Sequence, residues 1–322
     1  MAFDEKVPDP LFVIRTGLNG IACLSEGFTS WQDLDSDDFV FSGSSSGIVN
    51  LWNMKTRRSI LTIDTKASSA ILKVINLENK RILSHDRNGI ITVWNLNDLE
   101  PTAEETFAIY QFGFCPVSVV HEDESILVCY QSNSDSQLDI IDWKDKRIVK
   151  QLKPDKKVGM VMQAKLFKEK RRDILLALIG YENGSVALWN ASSGDILTDL
   201  KVHNDAVMCL DVDSDFSKVA VGSVDNRLVQ VALPATSGES LKEVRSADIN
   251  SNGISCLKVR PDNKILAAGC WDGKIRLFGW KKLKPLAVLK YHVETVNCIM
   301  FTLHNDMVCG SKDGKISVWH IY

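Results

Sequence analysis

No stretch of this chain approaches the roughly 20 consecutive apolar residues that a membrane-spanning helix needs. Its opening, MAFDEKVPDP, has neither the basic start nor the apolar centre of a secretory signal. A protein that stays inside the cell and does not engage membranes is the expectation. The eight cysteines contain no CxxC pair, so in a reducing compartment they read as thiols and not as a disulfide framework. There is no GxxxxGKS/T phosphate loop and no GxGxxG between a strand and a helix, which leaves nucleotide chemistry without a seat. A net charge of -3 gives no electrostatic footprint for duplex nucleic acid or anionic lipid. His85, His121, His304 and His320 share no metal-ligand spacing, and neither metal nor other cofactor is expected. Helical signals are almost absent as well.

What is present is a repeated phrase: FSGSSSGIVNLWN at 41–53, LIGYENGSVALWN at 178–190, AAGCWDGKIRLFGW at 267–280 and VCGSKDGKISVWHI at 308–321. Each copy reads as a strand ending in small residues, a tight turn, and a strand ending in an aromatic. The turn glycines Gly47, Gly89, Gly184, Gly273 and Gly314 are separated by 42, 95, 89 and 41 residues. Trp52, Trp94, Trp189, Phe278 and Trp319 repeat those intervals without change. Since 95 and 89 are each about twice 45, the long gaps conceal two divergent copies, making seven. The 322 residues then divide into units of about 46, close to the period of a propeller blade of four strands. The fold class expected is all-β: a seven-bladed β-propeller occupying 1–322 as a single domain.

The last repeat runs out of chain before a fourth strand. The missing strand is found at the other end, because PLFVIRTGLNGIACL at 10–24 lines up with PLAVLKYHVETVNCI at 285–299 at a constant offset of 275 residues. Residues 11–15 are therefore expected to form the outer strand of blade seven and to close the ring, which removes open sheet edges. The other blades fall at 20–63, 70–110, 116–152, 160–200, 207–245 and 254–289. Blade one carries an enlarged first hairpin, SEGFTSWQDLDSDDF, in which Trp31 is expected to be half core and half anchor. Blade three replaces the glycine turn by SNSDSQ but keeps Trp143 and RIVKQL. Cys23, Cys209, Cys256 and Cys298 share one position on the innermost strands and read as small buried thiols. The basic run KLFKEKRR at 165–172 is expected in the first hairpin of blade four, as a solvated turn or as a contact for an acidic partner.

These phrases resemble WD40 repeats, in which a histidine before the inner strand, a serine or threonine on the second, a turn aspartate and a third-strand tryptophan form a buried hydrogen-bonded set. His292, Ser311, Asp313 and Trp319 fill the four places in blade seven. Blade five supplies His203, Ser223 and Asp225 with Val231 in place of the tryptophan, blade six keeps Asp272, and Asn88 and Asn183 stand in for the aspartate in blades two and four. A Ser–His–Asp hydrolase would need an exposed serine and an oxyanion site, whereas the repeat buries all three groups, so no catalysis is expected. The resemblance places ligand-facing residues on the top rim, just before the turn aspartate (Ser45, Arg87, Glu182, Val224, Trp271, Lys312) and just after the histidine (Asn204, Val293). Trp271 is the leading protein-binding candidate, with core filling as the alternative; Lys312, Glu182, Arg87, Val293 and Asn204 accompany it.

DPLFVIR, FSGSSSGIVNLWNMKTRR, LKPDKKVGM, GYENGSVALWN and the stretch from GWKKLKPLAVLKYHVETV to GSKDGKISVWHIY resemble the G protein beta-subunit-like protein 1 family, which includes the fungal ASTRA-associated protein 1. That resemblance implies a non-enzymatic scaffold of the ASTRA assembly, linked to chromatin remodelling and to the TTT co-chaperone that works with Hsp90 in maturing phosphatidylinositol-3-kinase-related kinases. It also implies a monomer within a larger complex, in the nucleus and the cytoplasm. Two alternatives are weaker. A true G protein beta subunit uses an N-terminal coiled-coil helix, for which ten residues are too few. A substrate receptor of a cullin-type ubiquitin ligase would carry Trp-Asp-x-Arg, where this chain reads Trp52-Asn53, Trp94-Asn95, Trp189-Asn190 and Trp319-His320.

Overall fold

A computed structural model describes residues 8–27, 30–31, 34–35, 39–77, 79–97, 100–109, 113–122, 125–132, 134–169, 173–236 and 238–321. Among these residues every regular element is a strand. Seven four-stranded antiparallel sheets form the blades of a propeller, and a two-stranded hairpin, Ser30–Trp31 with Leu34–Asp35, elaborates blade one. From the inside outwards, blade one is Ile21–Glu26, Phe39–Ser44, Ile48–Asn53 and Arg58–Asp64. Blade two is Ile71–Leu77, Arg81–Asp86, Ile90–Asn95 and Thr102–Ala108. Blade three is Ser118–Glu122, Ser125–Gln131, Leu138–Asp142 and Arg147–Leu152. Blade four is Val161–Glu169, Ile174–Tyr181, Ser185–Asn190 and Asp195–Lys201. Blade five is Val207–Val212, Lys218–Ser223, Arg227–Ala232 and Lys242–Asp248, its outer strand running past the expected limit at 245. Blade six is Ile254–Val259, Ile265–Cys270, Lys274–Gly279 and Lys284–Lys290.

Blade seven is Val296–Phe301, Met307–Ser311 and Lys315–Trp319, completed by Phe12–Arg15 from the other end of the chain. Phe12 pairs with Val318 and Arg15 with Lys315, and the Leu11 N–H donates to the Val318 carbonyl at 2.7 Å. The strand begins one residue later than the offset suggested, but the seam is where the sequence put it. Packing closes the ring as well. Each of the seven hydrophobic clusters bridges two neighbouring blades, and the cluster at the seam joins Ile14, Val308, Ile316 and Val318 to Ile21, Val40 and Trp52. Among the described residues every cluster lies between blades, so the circle is stabilised at its interfaces.

The small residues that end the second strands have a packing reason. Cys23 pairs with Gly43, Cys209 with Gly222, Cys256 with Gly269 and Cys298 with Gly310. A Cβ on Gly310 would lie 2.7 Å from the Cys298 sulfur and 2.5 Å from Ile21 Cγ2 of blade one, so the missing side chain is what lets the next blade approach. Cys23 and Cys209 are buried and Cys256 and Cys298 half-buried. Burial pushes the Cys23 thiol up to about 11 and the Cys115 thiol up to about 12, which leaves both protonated and unreactive. The turn glycines take positive φ, 85° at Gly184, where a Cβ would also meet the His203 carbonyl oxygen. Six blades shift register late in the third strand, in four of them at the aromatic, and such bulges increase strand twist there.

Candidate functional site

Second-to-third-strand turns and the loops that enter the inner strands lie together on one face, because neighbouring strands are antiparallel. Beneath that face, blade seven carries the hydrogen-bonded set, and its composition corrects the sequence reading. His292 Nδ1 lies 3.1 Å from Asp313 Oδ2, and His292 Nε2 lies 2.7 Å from the hydroxyl of Ser317, not Ser311. Trp319 Nε1 donates to the same Ser317 oxygen at 2.8 Å. In blades one and two the tryptophan instead donates across to the second strand, Trp52 to Ser42 at 2.8 Å and Trp94 to Ser84 at 2.9 Å. Blade seven has Cys309 at that second-strand position, directly opposite Ser317, so the hydroxyl is supplied from the third strand. Aligning SGS of 42–44 with CGS of 309–311 would have exposed the exchange.

Ser311 has a different task. Its hydroxyl donates to the Glu294 carbonyl at 3.1 Å and accepts the Asp313 N–H at 3.1 Å, which ties the turn to the entering loop. It is fully buried and so cannot present an oxygen to a substrate. Burial pushes Asp313 up, but His292 and the N–H groups of Val293 and Lys315 outweigh it and hold the carboxyl below its ordinary value. His292 is held below its ordinary value by burial, against the pull of Asp313. In blade five His203 Nδ1 lies 2.9 Å from Asp225, while Ser223 donates to the Ala206 carbonyl at 2.7 Å. In blade four Asn183 Oδ1 accepts the Ser185 N–H at 2.9 Å, as an aspartate would. In blade two that part is played by Asp86, which accepts the N–H groups of Asn88 and Ile90 at 2.8 and 3.0 Å, so Asn88 is the capped residue and not the cap.

Over this foundation lies the rim. Trp271, 39% exposed, rests its ring on Gly253, where a Cβ would come within 2.8 Å, and its carbonyl accepts the Thr295 hydroxyl at 3.4 Å. The Lys312 N–H donates to the Thr295 carbonyl at 2.9 Å, and its ammonium lies 3.5 Å from Glu294. Val293 is 76% exposed while its N–H donates to Asp313. Trp271, Val293 and Lys312 thus form one patch across blades six and seven, seated on the loop that His292 and Asp313 fasten. The other candidates stand apart from it. Glu182 is exposed on the blade-four turn and accepts the Met160 N–H at 3.0 Å, and Asn204 is exposed in the loop packed over Gly184. Arg87, on blade two, stacks its guanidinium 4.1 Å above the ring of Phe114, which is itself 49% exposed. Sequence reading missed Phe114, since its loop belongs to the weakly marked third blade.

One other expectation lands elsewhere. The basic run at 165–172 does not begin in a turn: Lys165 to Glu169 belong to the inner strand of blade four, and 170–172 lie outside the described residues. The strand carries on through these residues because Leu166 and Phe167 are core residues. The Trp31 backbone pairs with Leu34, and its side chain lies outside the described residues.

The family model for "WD domain, G-beta repeat" matches residues 194–230, 241–279 and 283–320, each match beginning just before an outer strand and ending in or just after the next third strand. Guanine nucleotide-binding protein subunit beta-like protein 1 of Mus musculus is 31% identical over 319 residues, covering 98% of this chain and 97% of the mouse protein. ASTRA-associated protein 1 of Schizosaccharomyces japonicus is 27% identical, and that of Schizosaccharomyces pombe 23% identical, each alignment covering 98% of this chain and all of the fungal protein. Seven blades, a seam closed by the N-terminal strand and end-to-end similarity together place the chain in the guanine nucleotide-binding protein subunit beta-like protein 1 family of WD40 propellers, with ASTRA-associated protein 1 among its homologues.

Proposed function

We propose that this protein is a non-catalytic scaffold, a single propeller domain spanning 1–322 that serves as an ASTRA-associated component. It would act in chromatin remodelling and in TTT and Hsp90-assisted maturation of phosphatidylinositol-3-kinase-related kinases, as one copy within a larger complex in the nucleus and the cytoplasm. The observation that carries this reading is the coverage: relatives bearing the ASTRA name align with 98% of the chain. A rigid ring is suited to such work, because interfaces concentrate their energy in a few well-held aromatic or charged residues. Trp271 fits that description, half-exposed yet fixed against Gly253, with Val293 and Lys312 beside it.

The test is affinity purification of the wild type and of Trp271→Ala from cells. Recovery of kinase-maturation chaperones by the wild type supports the reading, and at least a tenfold loss in the variant with an unchanged melting temperature assigns the rim patch to the interface. Equal recovery by both sinks the patch. Failure of the wild type to recover any such chaperone sinks the pathway.

A further inference from the structure

A channel of about 700 Å³ runs along the propeller axis and is lined by the inner strands of all seven blades. That volume is in the ordinary range for a small-molecule site, about 300–1,000 Å³. Its ionisable lining is uneven. Lys73 enters from blade two, Lys165 from blade four and Lys258 from blade six, facing one buried carboxylate, Asp211 of blade five. Asp211 is already committed: Oδ1 accepts Lys165 Nζ at 2.7 Å, and Oδ2 accepts the Val259 N–H at 2.9 Å and lies 3.6 Å from Lys258 Nζ. Among the described residues no carboxylate lies within ion-pairing distance of Lys73. Burial, then the charges of Lys258 and Lys165, push its ammonium below the ordinary lysine range, and the Asp211 charge only partly offsets them. The remaining ionisable lining groups are His121 and Glu26; Glu26 is exposed at the end of its strand and is not among the charges acting on Lys73.

Three lysines against one carboxylate leave two positive charges without counter-charge inside a cavity walled by sheet, where charge interactions are stronger than in bulk water. Each ammonium has three donors; Lys165 spends one on Asp211, and Lys258 stands 3.6 Å from the same carboxylate without donating to it. We infer that the channel binds a small polyphosphate-type anion, held by Lys73 on one side and by the spare N–H groups of Lys165 and Lys258 on the other. A multivalent anion matches the surplus and spans from Lys73 to the Lys165–Asp211–Lys258 cluster, which a single carboxylate would not. The inference is independent of the scaffold reading, since it concerns the axis and not the rim.

The experiment is calorimetric titration of the full chain with inorganic tripolyphosphate at two salt concentrations, beside thermal melts. One saturable site per chain is expected, weakened by salt and at least tenfold weaker in Lys73→Gln. Lys66→Gln, which removes an exposed ammonium from the outer surface, is the control and should bind as the wild type does. Lys73→Met serves as a second variant: it removes an uncompensated cation, so its melting temperature without ligand should equal or exceed that of the wild type, while tripolyphosphate no longer raises it. Absence of saturable binding, or equal binding by Lys73→Gln and wild type, overturns the proposal. So does a preference for hexaglutamate over tripolyphosphate that depends on Lys73, which would assign the channel to an acidic peptide.

Discussion

Ser317→Ala is expected to be the most damaging single-atom change in blade seven. Its oxygen is shared by His292 Nε2, at 2.7 Å, and Trp319 Nε1, at 2.8 Å, and all three side chains are buried. Leaving a buried polar group without a partner costs about 1–3 kcal/mol. Two groups orphaned together, with partial relaxation between them, should cost about 3 kcal/mol. An unfolding entropy of about 2.1 cal/mol/K per residue over 322 residues makes each kcal/mol worth about 1.5 °C. The melting temperature should therefore fall by about 4–5 °C in differential scanning calorimetry. Ser311→Ala loses bonds only to the Glu294 carbonyl and the Asp313 N–H in the turn, and should cost about 1 kcal/mol, or about 1.5 °C. A Ser311→Ala variant as damaged as Ser317→Ala would refute the assignment, because it would return the set to the second strand.

Further outcomes follow from the same geometry. His292 and Asp313 both sit below their ordinary values, so each contributes stability that is fully present above its unfolded pKa and is lost as pH falls through the folded one. For His292 that window opens below about pH 6.5; melting temperature should fall between pH 7 and pH 5, and His292→Gln should flatten that slope, with an unaltered slope counting against the histidine. Ile14→Ala, at the seam, should cost about 2–5 kcal/mol, and deleting 1–16 should cost more; melts of both variants no lower than wild type would show that the N-terminal strand does not hold the ring. Gly310→Ala should lose about 1–3 kcal/mol by forcing Ile21 and Cys298 apart. Gly279→Ala, whose nearest neighbour lies 3.8 Å from the added carbon, should melt within a degree or so of the wild type, and similar losses in the two would remove the inter-blade explanation.

Much of the architecture was legible before any coordinate. The glycine turns and the aromatic that follows each at a fixed distance are local signals, written into a backbone that needs positive φ at the turn and a large side chain at the end of the third strand. The offset of 275 residues revealed the seam, because the closing strand keeps the outer-strand pattern of its sister blades. Degenerate blades hid more. Phe114 could not be placed under Arg87 from a loop that lacks the repeat's landmarks, and Lys165 was taken for a turn residue because a charge cluster looks solvated unless its partner is known.

Sequence by itself determined the number of blades, the order of strands within each and the place where the ring closes, since these depend on local turn chemistry repeated at a fixed period. Only the tertiary structure decided which side chains meet. Ser317 takes the hydroxyl's part because Cys309 faces it across the ladder, and Lys73, Lys165, Asp211 and Lys258 converge on the axis although four different blades supply them. Those encounters are set by how neighbouring and opposite blades approach one another in a closed circle, and a period along the chain carries no record of distance across it.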